Sequence, residues 1–459
     1  MAQSLVIINA VALTPALLQY APNLAAVGKA SPLKGITPAL TMPAQATMLT
    51  GVAPRVHGVV ANGWYWRDLG EVRNWVQANA LLSRPPLYDI ARERAIKRGE
   101  PFTCAKMFWW FNQGARVEWS VTPKPHYGAD GSKVFDIQSS PEPFARELET
   151  AHGKFPFFNF WGPNAGLPAT DWIARASAAT IRDKRPTLAL VYLPHLDYDL
   201  QRRGPSGCDL PKLAGELDGC AKLMIDAARE VGASILVVSE YGIGDVSRPV
   251  YLNRVLRRQG WLTTRSGPFG EMLDTFGSKA FAVCDHQVAH VYVGDKADIA
   301  PVRDLLQNTD GVGAVLDREG QRAYGIDHPN SGELVALSAS DAWFAYPYWL
   351  DDGAAPDFAR TVDIHRKPGY DPCELSLDPA LSLPKLRLAM TFFKRKLGLR
   401  ALMNVVPLDA TLVRGSHGLP ALDPGRGPVI IASDGRALPA TPAMTDVAAV
   451  ALGMMGLDS

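Results

Sequence analysis

Cysteine is scarce in this chain. Five residues (Cys104, Cys208, Cys220, Cys284 and Cys373) are scattered through 459, odd in number and without a CxxC pair. That argues against a disulfide frame and for reduced structural thiols, as expected of a cytoplasmic protein. An excess of charge of one sign is also missing: 47 Lys and Arg face 46 Asp and Glu, a net of +1. A nucleic-acid polymer would call for a basic footprint, so none is expected as a partner. No segment holds enough continuous apolar residues to span a bilayer. The apolar stretch 5–27 has no basic region before it, and Pro15, Gln19, Pro22 and Asn23 interrupt it. It reads as a strand followed by a helix rather than a signal peptide. Internal repeats, low-complexity tracts and a G-x-S-x-G nucleophile elbow are absent too, the last arguing against a serine hydrolase.

What is present is an ordinary globular composition, 47% hydrophobic and 20% charged, long enough for a large core. Three short runs are continuously apolar: SLVIINAV (4–11), TLALVYL (187–193) and SILVV (234–238). Such runs suit parallel strands covered on both faces. Helical patterns over 86–98, 142–152, 171–182, 210–231 and 250–260 alternate with them. Strand-like segments follow at 280–284, 289–293 and 429–431, and an apolar helix at 441–457. This alternation predicts an α/β fold, a doubly wound, mostly parallel sheet with helices on both faces. One domain over 1–459 is expected, with an inserted subdomain at 244–366.

The stretch 38–62, PALTMPAQATMLTGVAPRVHGVVAN, stands out. Thr41 precedes Pro43 by two residues, and proline suits a first helical turn, so a helix is expected over 43–49, ending at Gly51. A helix N-terminus offers free N–H groups and a positive dipole end to an oxyanion. The residue pattern alone leaves Thr41 open as a simple cap. Aromatics crowd 64–75 and 102–119 (Trp64, Tyr65, Trp66, Trp75, Phe108, Trp109, Trp110, Phe111 and Trp119). Core packing is the expected role, an aromatic-walled pocket the alternative. The stretch 123–140 is turn-rich and reads as exposed loop.

The segment 38–62 resembles the nucleophile segment of the type I phosphodiesterase/nucleotide pyrophosphatase family, within the alkaline phosphatase superfamily. The shared features are Thr-x-Pro, then Met48-Leu49-Thr50-Gly51 for the family's Leu-x-Thr-Gly, then His57-Gly58 leading to Asn62. The resemblance implies an alkaline-phosphatase-like fold, with Thr41 as nucleophile and Asn62 binding a phosphoryl oxygen. It also implies two divalent metal ions, whose ligands fall on positions that only partly match. Asp197 stands at the end of the second apolar strand, as in the family, but the His four residues later is Gln201. The family's Ser-Asp-His-Gly is Ser239-Glu240-Tyr241-Gly242. The Asp-Gly after the first strand falls on Val11-Ala12, with Asn9 the only nearby polar side chain. His417, in Gly415-Ser416-His417-Gly418, matches the late histidine.

The expected metal ligands are therefore Asp197, Glu240, His417 and the weak Gln201. One or two ions of Zn, Mn or Mg are expected, with a lean toward the harder ones. Tyr241, Arg248, His286 and Asn9 are candidate substrate contacts, Arg248 as an anion clamp. The expected activity is hydrolysis of a small phosphorylated substrate. The alternative is a superfamily member that binds a phosphorylated or aromatic ligand without cleaving it.

Overall fold

A computed structural model describes residues 2–129, 133–382, 390–391, 393–394, 397, 401–434 and 438–458. Among them, eight strands form the main sheet: β1 (Leu5–Ala10), β2 (Lys29–Pro32), β3 (Cys104–Met107), β4 (Trp119–Pro123), β5 (Ile137–Ser140), β6 (Leu188–Leu193), β7 (Ser234–Val238) and β8 (Val429–Ala432). Their order is β2-β8-β7-β1-β6-β3-β4-β5. The five central strands, β7 to β4, run parallel, and β2, β8 and β5 pair antiparallel at the edges. Every residue of β1 and β6 is buried, which is why their sequences carry no alternation.

Two groups of helices cover this sheet. One holds α3 (Leu167–Lys184) packed on α5 (Leu210–Glu230). The other holds α1 (Thr41–Thr50), α2 (Leu87–Lys97) and α6 (Val447–Met454). The doubly wound α/β architecture expected from strand–helix alternation is thus what the chain adopts. Between α3 and α5 lies α4 (His195–Arg203). Further along, strands 280–285, 288–293, 312–316 and 334–338 build a separate four-stranded antiparallel sheet within the span read as an insertion. The stretch 123–140 differs from its reading as loop: it carries β5 and a short pairing of His126–Tyr127 with Lys133–Val134. Here β5 gains its partner from β4, and the two short strands pair with each other.

These elements end where chemistry can be done. β1, β6 and β7 stop at one edge of the sheet, and the residues just past them, with the start of α1, converge there. The chain after β1 turns through Ala12 at φ 60, a left-handed conformation costing a β-carbon about 1 kcal/mol. The strand Gly415–Ser416 is drawn in by pairing with Gly244–Asp245 and by lying tight against α4. A β-carbon on Gly415 would collide with the carbonyl of Leu200, so this approach requires glycine. It delivers His417 beside Asp197.

Candidate active site

Thr41 is the first residue of α1, and Leu40 is the extended residue before it. The Thr41 hydroxyl makes no cap to its own helix. It lies 3.0 Å from the hydroxyl of Tyr241, which donates to Asp197 Oδ1 at 3.1 Å. A phenol has one proton, so Thr41 is the donor to Tyr241 in this line. Gln201, one helical turn beyond Asp197 on α4, donates to its other oxygen at 2.7 Å and accepts from Tyr370 at 2.8 Å. The i, i+4 spacing expected of two metal ligands here serves a hydrogen bond between them.

Glu240 sits behind Thr41, fully buried, accepting from Asn9 at 2.7 Å and Gln45 at 2.8 Å. Gln45 lies one turn along α1 from Thr41 and is itself fixed by the Trp110 N–H at 2.7 Å. Asn62 Oδ1 accepts the Met42 N–H at 2.9 Å, and its amide donates to Asp285 Oδ1 at 3.2 Å. Asn62 therefore braces the start of α1. Asp285 also bonds His286 Nδ1 at 2.7 Å. His286 stacks on Tyr370 with ring centroids 3.8 Å apart and lies equally close to His417. His417 stacks on Tyr241 at 3.6 Å, nearly parallel.

Burial governs the ionisation of this cluster. It raises Asp197 to about 7, even though Tyr241 and Gln201 donate to its charged form. It raises Glu240 to about 8, against donors Gln45 and Asn9, and Asp285 to about 6. Burial pushes Tyr241 well above the ordinary phenol range and holds His286 and His417 well below the imidazole range. Both histidines are thus neutral. His417 donates Nδ1–H to the Ala39 carbonyl at 2.7 Å, so its Nε2 carries a bare lone pair, 3.9 Å from Asp197. The Nε2 atoms of His286 and His417 are buried and without a hydrogen-bond partner.

Thr41, Asp197, Gln201, Tyr241, His286, Tyr370 and His417 all line one cavity of 480 Å³. Its far wall is aromatic: Trp75, Trp110, Phe135, Phe157, Phe160 and Trp161. Of the early aromatics, only Trp75 and Trp110 take this pocket role. Phe108, Trp109 and Phe111 are packed in the core, as core packing predicts.

The structure does not bring Arg248 to this place. Its guanidinium is exposed and spans Asp310 at 3.0 Å and Asp341 at 2.9 Å, so the anion clamp expected of it is corrected to a surface ion pair. Asn9 and Glu240 stand beside the site without lining the cavity. His290, on the strand 288–293 that follows the turn bearing His286, bonds the Val60 carbonyl and the Gly332 N–H and is structural. Sequence reasoning missed Tyr370, Gln45 and the wall at 157–161. Gln45 had a signal, four residues from Thr41 on one helix; Tyr370 had none.

The two-metal centre implied by the resemblance does not fit these side chains. The first-strand carboxylate is Val11, whose side chain offers no donor atom, and two of the imidazoles are Gln201 and Tyr241. Asp197 is already engaged by two donors. Among the described residues, no group of three or more His, Cys, Asp or Glu could hold a metal ion.

A profile of the family described as Type I phosphodiesterase / nucleotide pyrophosphatase matches residues 5–371. The chain belongs to that family. A comparison with curated proteins finds no match. Among solved structures, the phosphonoacetate hydrolase of Sinorhizobium meliloti in complex with phosphonoformate superposes with a TM-score of 0.60 at 15% identity. That match covers 99% of this chain and 96% of the other. An inactive variant of murine ectonucleotide pyrophosphatase/phosphodiesterase 5 in complex with AMP gives 0.58 at 13% identity, covering 99% and 95%. The human form of the same protein gives 0.58 at 12%, covering 99% and 95%. These likenesses establish an alkaline-phosphatase-like fold for this member of the family. No helix among the described residues is long and apolar enough to cross a membrane.

Proposed function

We propose that this family member hydrolyses a small phosphate ester with Thr41 as the nucleophile. The observation that carries the reading is the line Thr41 Oγ1, Tyr241 OH, Asp197 Oδ1, with links of 3.0 and 3.1 Å opening into the cavity. In the first step Thr41 Oγ1 bonds to phosphorus as the bond from phosphorus to the ester oxygen breaks, and the departing alkoxide takes its proton from solvent water in the cavity. The Thr41 proton passes to the Tyr241 oxygen as Tyr241 gives its own to Asp197. Asp197, raised to about 7, is matched to that task near neutral pH. In the second step water attacks the phosphothreonine and yields its proton to a bare imidazole nitrogen of His417 or His286, while the bond from phosphorus to Thr41 Oγ1 breaks and Asp197 returns its proton through Tyr241 to Thr41. The start of α1 places a partial positive charge beside the phosphoryl group.

Family membership and the AMP and phosphonate ligands of the structural neighbours support a small phosphorylated substrate. Any divalent ion would rest on Asp197 and His417 alone, and no step is assigned to it. Five free cysteines support a reducing, cytoplasmic setting. A second reading, binding without cleavage, is favoured by one observation. The only Lys and Arg on the cavity wall, among the described residues, are Lys133 and Arg366, both paired with Asp363.

The deciding assay is release of p-nitrophenol from bis-p-nitrophenyl phosphate, wild type against Thr41→Ala, with and without added Mg²⁺, Mn²⁺ or Zn²⁺. Turnover lost in Thr41→Ala upholds the hydrolase. Turnover absent from both gives the second reading, and turnover equal in both removes Thr41 as the nucleophile.

A further inference from the structure

The shape and lining of the cavity say what the rest of the substrate is. Its polar end is deep: Thr41 and Tyr241 are 4% and 2% exposed. At its mouth four large apolar side chains reach the surface, Tyr127, Phe158, Leu377 and Leu402, which are 55%, 47%, 40% and 44% exposed, beside the exposed His365 and Arg366. Between the two ends stand Trp75, Trp110, Phe157, Phe160 and Trp161. Several polar atoms along this passage are spent on the protein itself, and the Trp110 Nε1 and Tyr198 hydroxyl stand buried without a partner. Trp161 Nε1 donates to Glu374 at 2.6 Å, Gln77 Nε2 to the Pro123 carbonyl at 3.3 Å, and His365 Nδ1 meets the Asn74 carbonyl at 3.2 Å. Lys133 and Arg366 lie 3.7 and 3.5 Å from the Asp363 carboxylate.

A nucleotide would need donors for its base edge, an acceptor for its ribose and cations for further phosphates. A large apolar group needs none of these and gains from every ångström of wall. The volume, 480 Å³, is about three times the ~150 Å³ apolar cavity that takes one benzene.

Resting on the hydrolase reading, we propose that the substrate is a phosphate ester of a large apolar alcohol, isoprenoid or fatty, of about fifteen carbons. Its phosphate lies at Thr41, its chain runs along the aromatic wall, and its end emerges between Phe158 and Leu402. Large exposed apolar side chains at a cavity mouth are what an amphiphile needs on entry.

The test is a homologous series of p-nitrophenyl alkyl phosphates, methyl, hexyl and dodecyl, held below micelle formation, beside the p-nitrophenyl ester of thymidine 5′-phosphate. The expected kcat/KM rises at least about 100-fold from methyl to dodecyl, since each buried methylene contributes, and dodecyl exceeds the thymidine ester. In Phe158→Glu/Leu402→Glu, the ratio of dodecyl to methyl rates falls at least about tenfold. A flat series, a preferred thymidine ester, or a ratio untouched by the double variant overturns the proposal. If no ester releases p-nitrophenol, the hydrolase reading has failed and binding decides the rest. Quenching of tryptophan fluorescence by dodecylphosphonate at lower concentration than by AMP upholds the apolar ligand; equal or no quenching overturns it.

Discussion

The hydroxyls of Thr41 and Tyr241 lie 3.0 Å apart, and the second hydroxyl points its proton at Asp197. In the family pattern a histidine stands where Tyr241 stands. Under the proposed hydrolysis, a position that holds a metal ligand in that pattern carries a proton here instead.

Tyr241→Phe removes that path and little else. The ring keeps its stacking on His417, while Thr41 loses its acceptor and Asp197 one of its donors. Turnover is expected to fall by about 10²- to 10⁴-fold, the usual range for a lost proton-transfer group. Stability should drop by about 1–3 kcal/mol from the stranded partners. Steady-state kinetics and urea melts measure both; unchanged kcat in Tyr241→Phe would rule the path out.

The pH dependence has a definite sign. Asp197, Glu240 and Asp285 are raised by burial to about 7, 8 and 6, whereas unfolded carboxyls ionise near 4. The folded chain therefore binds more protons than the unfolded one between about pH 4 and pH 8. The contribution of these groups is fully present below about pH 4 and is lost as pH rises to 8. Thermal melts should show Tm falling from pH 5 to pH 8, with a shallower fall in Asp197→Asn. Activity should rise through about pH 7 as Asp197 ionises, and Asp197→Asn should abolish that limb.

Metal content follows from the donors. Wild type should retain at most one divalent ion per chain after dialysis. Restoring the family ligands with Val11→Asp, Gln201→His, Glu240→Asp and Tyr241→His should raise this to two. Elemental analysis of both proteins decides, and two tightly held ions in wild type would contradict the fit described here.

Lys367 is 1% exposed and sits 2.7 Å from both Asp371 and Glu374. Glu374 also accepts from Trp161 Nε1 and the Asp363 N–H, so this buried cluster ties together two parts of the cavity wall. Lys367→Met leaves two buried carboxylates without their cation and should destabilise the chain by about 3–5 kcal/mol. Urea unfolding reads this directly. Lys367→Arg, which keeps the charge, should recover part of the loss.

Sequence and tertiary structure divide the work along physical lines. The apolar runs of β1, β6 and β7 announced parallel strands because burial on both faces leaves no room for polar alternation. Thr41 and Pro43 announced a helix start because proline fits only the first turn. Asp197 and His417 were legible because they lie in short motifs beside strand ends or glycines. Other features were decided only by the fold. The partners of Tyr241 lie 200 residues before it and 44 before it. Tyr370 joins Gln201 across 169 residues, and no local pattern encodes such a meeting. Arg248 read as an anion clamp, but Asp310 and Asp341 reach it first. The aromatic wall likewise joins Trp75, Trp110, Phe135 and 157–161 from four stretches of chain. Local propensity fixes what a segment becomes, and packing fixes which side chains share a cavity.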